Sequence, residues 1–339
     1  MNFAMWKKAL NVIPDVSKEE WDRLDVISKW LISTRAAVLV MTFISAALAG
    51  LFAWRDGAFN FGPWLALVFG LIMAHASNNI FNDYTDFVRG VDQDNYYRNI
   101  YGTQPLANGL MTQRQHLTYF AVTGLLALAA GLYLIFVNSN DPLIWILLAS
   151  GAFFVLFYTW PLKYIALGEV AVLLVWGPLM IGGGYYVLAQ QWNWNVVLAC
   201  LPYALGVTTV IFGKHIDKLD KDKVKRIHTL PVVIGEKASR FTVLAMMAIP
   251  YFLTIYLIAI KFFTPIMAIV FLAIPQFLRV YPVFLKPKPE TQPEGQAGWP
   301  LYFVGYAFYN NRKFGILFMI GLLLDIMLRL VPFTQNFWR

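Results

Sequence analysis

The chain has 339 residues, of which 59% are hydrophobic, 17% aromatic and only 14% charged, with a formal net charge of +8. A soluble domain carries about 25% charged and roughly 45–50% apolar residues, so a chain this poor in charge cannot solvate a globule of its own size and belongs in a membrane. The same figures exclude a disordered chain, and the single cysteine, Cys200, excludes a disulfide framework or a cysteine metal cluster.

Met1 to Thr34 holds no apolar stretch followed by a small-residue cleavage site, which argues against a removable signal peptide. Within residues 1–35, Trp21, Leu24, Ile27 and Leu31 recur at helical spacing among charges. The segment reads either as a cytoplasmic amphipathic helix lying on the membrane surface or as a plain anchor for the first span. From there onward, runs long enough to cross a hydrocarbon layer roughly 30 Å thick recur. Nine are marked, approximately 36–54, 61–82, 117–137, 142–160, 169–189, 193–213, 240–260, 263–285 and 314–334. They are continuously apolar rather than alternating, so each satisfies its own backbone as a helix. The expected fold is all-α: a polytopic bundle of about nine transmembrane helices around a central cavity, with residues 36–339 as one transmembrane domain and Asp-rich cytoplasmic loops at 83–116 and 214–240.

The second run carries His75, with no second histidine at an equivalent depth, so a packing or cavity role is expected rather than haem ligation. That run closes on Asn78-Asn79-Ile80-Phe81-Asn82-Asp83-Tyr84-Thr85-Asp86, followed by Gly90-Val91-Asp92-Gln93-Asp94. On a helix, Asn79, Asn82, Asp83 and Asp86 stand at i, i+3, i+4 and i+7 and project from one face. Carboxylates at a helix C-terminus oppose the macrodipole, so something positive should compensate them. Glu169 opens the fifth run, where an anion caps a helix N-terminus favourably. The sixth run closes on a second acidic segment, Lys214-His215-Ile216-Asp217-Lys218-Leu219-Asp220-Lys221-Asp222-Lys223-Val224-Lys225-Arg226. Asp217 and Asp222 are five positions apart, a rotation of about 140°. Either the segment has left the helix by Asp222, or Asp217 and Asp220 form the working pair. Lys286 to Trp299 reads as a proline-rich loop, Trp299 to Phe308 as an interfacial aromatic segment, and Asp325 with Arg329 as an intramembrane i, i+4 ion pair.

Lysine and arginine number 22 on the N-terminal side of the nine spans against three on the other. This bias places the N-terminus and the larger loops in the cytoplasm and the C-terminus opposite. The positive charge is thus a topology signal, and no nucleic-acid partner is implied. Seven of the 19 acidic residues fall in the two segments that close spans two and six. Their oxygen donors, without His or Cys ligands, suit Mg²⁺, which keeps waters and binds through a few carboxylates plus substrate phosphates. Two acidic helix ends four spans apart imply a pseudo-repeat whose loops face one cavity. Two Mg²⁺ ions could there bridge a diphosphate while Lys and Arg neutralise its charge.

At these motifs the chain resembles the UbiA-type intramembrane prenyltransferases. Their Asn-Asp-x-x-Asp motif matches Asn82-Asp83-Tyr84-Thr85-Asp86, and Gly90-Val91-Asp92 after it is most similar to the menaquinone-type, 1,4-dihydroxy-2-naphthoate branch. Further matches are Pro105-Leu106 with Gly109, Tyr158-Thr159 with Gly168-Glu169, and Thr229-Leu230-Pro231-Val232 with Gly235. The resemblance covers roughly residues 35 to 335. The chain departs from it at Gln104, where many members carry a basic residue, and in the spacing of the second motif, for which the interval from Asp222 to Thr229 favours Asp217 and Asp222. The resemblance implies that Asp83, Asp86, Asp92, Asp217 and Asp222 bind Mg²⁺, with Lys214 joining Asp83, Asp86, Asp217 and Asp222 in catalysis. It further implies that Asn79, Asn82, Arg89, Tyr158, Lys163, Lys218 and Lys225 hold substrate. The implied partners are a polyprenyl diphosphate, an aromatic acceptor and membrane lipid, in quinone biosynthesis at a bacterial inner membrane. Other acceptors, namely 4-hydroxybenzoate, homogentisate or a chlorophyllide, and a non-catalytic lipid-binding role are the alternatives.

Overall fold

A computed structural model describes residues 1–91, 102–295 and 299–330. Its contacts divide the chain into two compact units, Met1–Ala46 with Phe61–Pro161, and Ala47–Asn60 with Leu162–Arg339. This division cuts the chain at other places than the 1–35 and 36–339 partition expected from the sequence. The described residues are helical throughout apart from turns and one isolated bridge between Ile165 and His228.

The first unit holds α1 (Phe3–Asn11), α2 (Lys18–Asp22), α3 (Val26–Ser33), the start of α4 (Ala36–Arg55), α5 (Phe61–Val88), α6 (Gln113–Val137) and α7 (Pro142–Phe157). The second holds the rest of α4, α8 (Gly168–Ala189), α9 (Trp194–Asp217), α10 (Leu219–Val224), α11 (Leu230–Ile234), α12 (Glu236–Ala259), α13 (Pro265–Leu285) and α14 (Phe303–Leu330). Seven of these, α4, α5, α6, α8, α9, α12 and α13, are long and apolar enough to cross a membrane. Helix α7 is shorter, at 16 residues, and α14 is 28 residues long but includes Arg312, Lys313, Asp325 and Arg329. The nine expected runs therefore all have helices, although two fall outside a strict measure of a span.

Local chemistry explains the helix ends. Thr112 and Gln115 form a reciprocal capping box at the start of α6, while Asp141 accepts from the Leu143 amide at 2.7 Å and Pro142 opens α7. Along α6, Leu125, Leu126, Leu128, Leu132 and Phe136 are exposed. Such a face is stable against hydrocarbon and unstable against water. Helix α8 takes π geometry over Val175–Gly183, around Pro178, which has no N–H to donate.

The N-terminal helices correct the surface-helix expectation. Trp21, Leu24 and Leu31 are buried in a core shared with Met5, Ala9, Val16, Ala76, Leu110 and Met111, and only Ile27 of the expected stripe is exposed. The apolar face is thus covered by protein. Trp30 Nε1 donates to Thr123 Oγ1 at 2.9 Å, and the Val16 amide donates to Thr103 Oγ1 at 2.9 Å. Asp25 closes this bundle by accepting from the Ser28 and Asn2 amides, Trp6 Nε1 and Ser28 Oγ. Burial opposes its ionisation, but these donors outweigh burial and hold the carboxyl well below the usual carboxylate range. Its stabilisation is therefore present above the unfolded value, about 3.9, and is lost as the pH falls through the depressed folded value. Hydrogen exchange at the Asn2 and Ser28 amides should stay slow from neutral pH down to about 4, once corrected for intrinsic rate, and rise only below it. In Asp25→Asn it should be fast throughout.

In the second unit, Asp325 and Arg329 form the expected ion pair at 3.1 Å, and it has a further task. Asp325 Oδ1 accepts from the Thr264 amide at 2.6 Å, fixing the start of α13, and Arg329 Nη2 donates to the Phe262 carbonyl at 2.9 Å. Helices α9 and α14 touch backbone to backbone: a Cβ on Gly213 would lie 2.8 Å from Val304 Cα and N. Alanine in a helix is ordinarily favoured over glycine by about 1 kcal/mol, but main chain cannot yield as a side chain does, and overpacking costs about 1–3 kcal/mol. Gly213→Ala should lower the melting temperature in detergent, whereas Gly151→Ala, which meets nothing within 4 Å, should leave it unchanged or raise it.

Candidate functional site

One acidic helix end lies in each unit. In the first, α5 runs unbroken to Val88, so Asn79, Asn82, Asp83 and Asp86 share one helical face. Asn79, Asp83 and Asp86 are buried and Asn82 is half-buried. The compensating cation is Arg35, which the sequence reading counted only toward topology. Its Nη2 donates to the Asn79 carbonyl at 3.3 Å, to Asn82 Oδ1 at 3.2 Å and to Asp83 Oδ1. Arg35 stands between α3 and α4 in the left-handed region, φ 54°, a conformation uncommon outside glycine. The two asparagines are committed to the fold: Asn79 Nδ2 donates to the Thr34 carbonyl at 2.8 Å, and Asn82 Nδ2 to Thr159 Oγ1 at 2.8 Å. Neighbouring Asn78 does the same toward the Val155 carbonyl at 2.9 Å. Their expected contact with substrate is thus preceded by a structural one. Arg89 stacks over Trp160, 5.1 Å from the ring centroid, and Tyr158 follows the end of α7, half-buried. His75 pairs with Thr42 Oγ1 at 2.7 Å, the packing role expected of it. Asp92 lies outside the described residues.

In the second unit the choice left open at Asp217 is answered by the backbone. Helix α9 ends at Asp217, Lys218 breaks it at φ −106° and ψ 3°, and α10 begins at Leu219. The break buries both Asp217 and Asp222 and leaves Asp220 exposed. The two buried carboxylates differ in their partners. Asp217 Oδ1 accepts from the Phe303 amide at 3.0 Å and Oδ2 from the Val304 amide at 3.1 Å, so the carboxylate caps α14. Lys288 Nζ stands 3.4 Å from Oδ1 and donates to the Pro300 carbonyl at 2.5 Å. Main-chain amides and a lysine thus take both oxygens of a carboxylate that the family resemblance puts among the metal ligands. The cap also explains why α14 starts at Phe303 rather than near 314, and why the interfacial segment expected over Trp299–Phe308 is partly helix. Asp222 instead faces Lys218 Nζ at 3.5 Å.

Lys214, Lys218 and Lys225 are half-buried around this helix end, and Lys163, on the turn before α8, is buried with Nζ 5.7 Å from the Tyr164 ring centroid. Burial and the neighbouring Lys225 charge lower the Lys221 ammonium below the usual lysine range. Glu169 stands in the first turn of α8, as expected of an anion there, and has a further task. Its Oε1 lies 2.5 Å from His215 Nδ1, and its Oε2 accepts from the Leu230 amide at 3.2 Å, so it ties α8 to α9 and α11. Arg35, His215 and Lys288 are the residues the sequence reading missed.

Among the described residues no three His, Cys, Asp or Glu side chains converge as a ready-made metal cage. The donor set at the end of α5 still fits Mg²⁺, a hard ion that takes one or two carboxylates and completes its shell with water and substrate phosphate. Two donors at the helix ends, Arg35 Nε in the first unit and Thr229 Oγ1 in the second, are buried without a hydrogen-bond partner among the described residues. Buried polar atoms are ordinarily satisfied, so both fit the oxygens of an anionic ligand.

The sequence profile of the UbiA prenyltransferase family matches residues 43–323. The Drosophila melanogaster UbiA prenyltransferase domain-containing protein 1 homolog is 24% identical over 220 residues, 64% of this chain and 59% of that protein. This chain thus spans less than two thirds of that relative. The Escherichia coli 1,4-dihydroxy-2-naphthoate octaprenyltransferase is 28% identical over 221 residues, 62% of this chain and 70% of that one. A UbiA homolog from Archaeoglobus fulgidus, solved with GPP and Mg²⁺, has a similar fold: TM-score 0.61 at 15% identity, covering 88% of this chain and 98% of that one.

Proposed function

The chain belongs to the UbiA prenyltransferase family, and from that premise we propose that it transfers a prenyl group from a polyprenyl diphosphate to 1,4-dihydroxy-2-naphthoate, with Mg²⁺, in quinone biosynthesis. The observation that carries this reading is the buried oxygen face at the end of α5, two carboxylates with a guanidinium beside them at the end of an apolar helix. The E. coli relative supports the acceptor and the Archaeoglobus homolog supports the metal and the diphosphate. The excess of basic residues on the same side supports a cytoplasmic position for both helix ends, in a bacterial inner membrane.

Bound Mg²⁺ would neutralise charge that develops on a departing diphosphate. Asp83 and Asp86 would hold it from α5, and Asp222 is the candidate carboxylate of the second acidic helix end. Lys214, Lys218 and Lys225 supply positive charge toward phosphate oxygens and stabilise the leaving group as its bond to the prenyl carbon breaks. Apolar helix faces accept the prenyl tail, and excluding water there protects the allylic cation from hydrolysis until the acceptor attacks. Aromatic faces steady that cation.

Membranes containing the protein, given labelled polyprenyl diphosphate and a panel of acceptors, should form a single product containing the naphthoate-derived ring and the label, identified by mass. A product formed only with 4-hydroxybenzoate, homogentisate or a chlorophyllide would reassign the acceptor. No product with any of them would favour a lipid-binding protein that has kept the scaffold without catalysis.

A further inference from the structure

We propose that Arg35 is a positioning residue for the first acidic motif: it fixes the Asp83 carboxylate in the orientation that receives the metal. The inference rests on the reading of Asp83 as a metal ligand.

Three observations bring Arg35 to this role. Its Nη2 gathers the Asn79 carbonyl, Asn82 Oδ1 and Asp83 Oδ1, three acceptors spread over slightly more than one turn of the same α5 face. An ion pair made only for charge balance would not need the other two. One end of the rigid guanidinium, Nη2 with two hydrogens shared among three acceptors, therefore lies against the helix surface and sets the direction from which Asp83 is held. Second, the pair is largely withdrawn from water, with 19% of the Arg35 side chain and 4% of the Asp83 side chain exposed, so it is not screened as a surface pair would be. Third, the base of Arg35 is itself immobilised. The residue is held in the left-handed region, the preceding Thr34 carbonyl accepts from Asn79 Nδ2 at 2.8 Å, and Thr34 Oγ1 bonds back to the Trp30 carbonyl at 2.9 Å. Ahead of it, Leu31 and Ile32 are buried in the N-terminal core. Sparsely populated backbone conformations persist where surrounding structure over-determines them, and they gather at functional sites. The N-terminal helices thus form the mount from which Arg35 reaches α5.

A positioning role and a merely electrostatic one have opposite signs. By Coulomb's law alone, removing a cation beside a metal ligand tightens cation binding. If Arg35 orients Asp83, removing it loosens cation binding, because the carboxylate is free to turn away.

The test uses the full-length protein in nanodiscs, with Mn²⁺ as probe and inorganic diphosphate present, read by electron paramagnetic resonance, beside the melting temperature and the kinetics of prenyl transfer. Arg35→Gln should weaken Mn²⁺ binding at least tenfold and raise the Mg²⁺ concentration for half-maximal transfer, and Arg35→Lys should fall between it and the parent. Unchanged or tighter Mn²⁺ binding in Arg35→Gln would overturn the proposal. Should that variant fail to fold, Arg35→Lys decides alone: binding within threefold of the parent overturns the proposal, since lysine keeps the charge and loses the rigid guanidinium plane. Asp83→Asn separates the two readings. If it binds Mn²⁺ like the parent, the assignment of Asp83 as a ligand fails; if it binds weakly while Arg35→Gln binds normally, only the role of Arg35 fails.

Discussion

Replacing Asp86 with asparagine is expected to lower kcat/KM for Mg²⁺-dependent prenyl transfer about a thousandfold, or about 4 kcal/mol of transition-state stabilisation. Asp86 is buried at the end of α5 on the same face as Asp83. The substitution preserves shape and removes the charge a hard divalent ion requires. Asp83→Asn should lose as much activity and stability as well, because it strands the Arg35 guanidinium; breaking a buried pair costs about 3–5 kcal/mol. Steady-state kinetics beside thermal unfolding in the same detergent read both quantities. Activity within tenfold of the parent in Asp86→Asn would remove Asp86 from the proposed metal set.

Replacing Asp217 with alanine is expected to do the reverse, acting first on stability. Two main-chain amides at the start of α14 and the Lys288 ammonium converge on this one carboxylate, whose side chain is fully buried. Hydrogen bonds to a charged group contribute about 1.5–3 kcal/mol each, and alanine would leave both amides without their acceptor and remove the charge that faces Lys288. The expected loss is about 3–5 kcal/mol, seen as a markedly lower melting temperature and as proteolytic exposure of the chain ahead of Phe303. Asp222→Ala, by contrast, removes a carboxylate faced by one lysine at 3.5 Å and should depress activity with a much smaller stability cost. If Asp217→Ala instead melts like the parent and loses only Mg²⁺-dependent activity, Asp217 is a metal ligand and the anchor reading is wrong.

The contrast between these two aspartates shows where sequence stops being legible. Helix positions followed from apolar run length, because spanning hydrocarbon is a constraint each segment meets by itself. The oxygen face of Asn79, Asn82, Asp83 and Asp86 was legible too, since helical periodicity alone puts those positions together. What escaped was every partner far away in the chain. Arg35 lies 48 residues from Asp83, and Asp217 lies 86 from the amide it caps. The need for a cation near Asp83 could be argued from the helix dipole, but its identity depended on a left-handed turn after α3 that no local pattern announced. The N-terminal stripe reads as one helix by its spacing, but the chain breaks at Leu24 between α2 and α3, and periodicity cannot tell a face buried by lipid from one buried by Leu110 and Met111. Glu169 looked like a cap for the helix it opens, and only the fold brought His215 to it. The early start of α14 was hidden for the same reason, its N-terminal partner being supplied from α9.

The most direct test is to reconstitute the purified protein in lipid vesicles with labelled polyprenyl diphosphate and 1,4-dihydroxy-2-naphthoate, then measure labelled product with a chelator present and again after Mg²⁺ is restored. Product should be at background with the chelator and return with Mg²⁺, and Asp86→Asn should stay near background in both conditions. Equal product with and without the chelator, or full product from Asp86→Asn, would contradict the assignment of metal-dependent chemistry to the acidic end of α5.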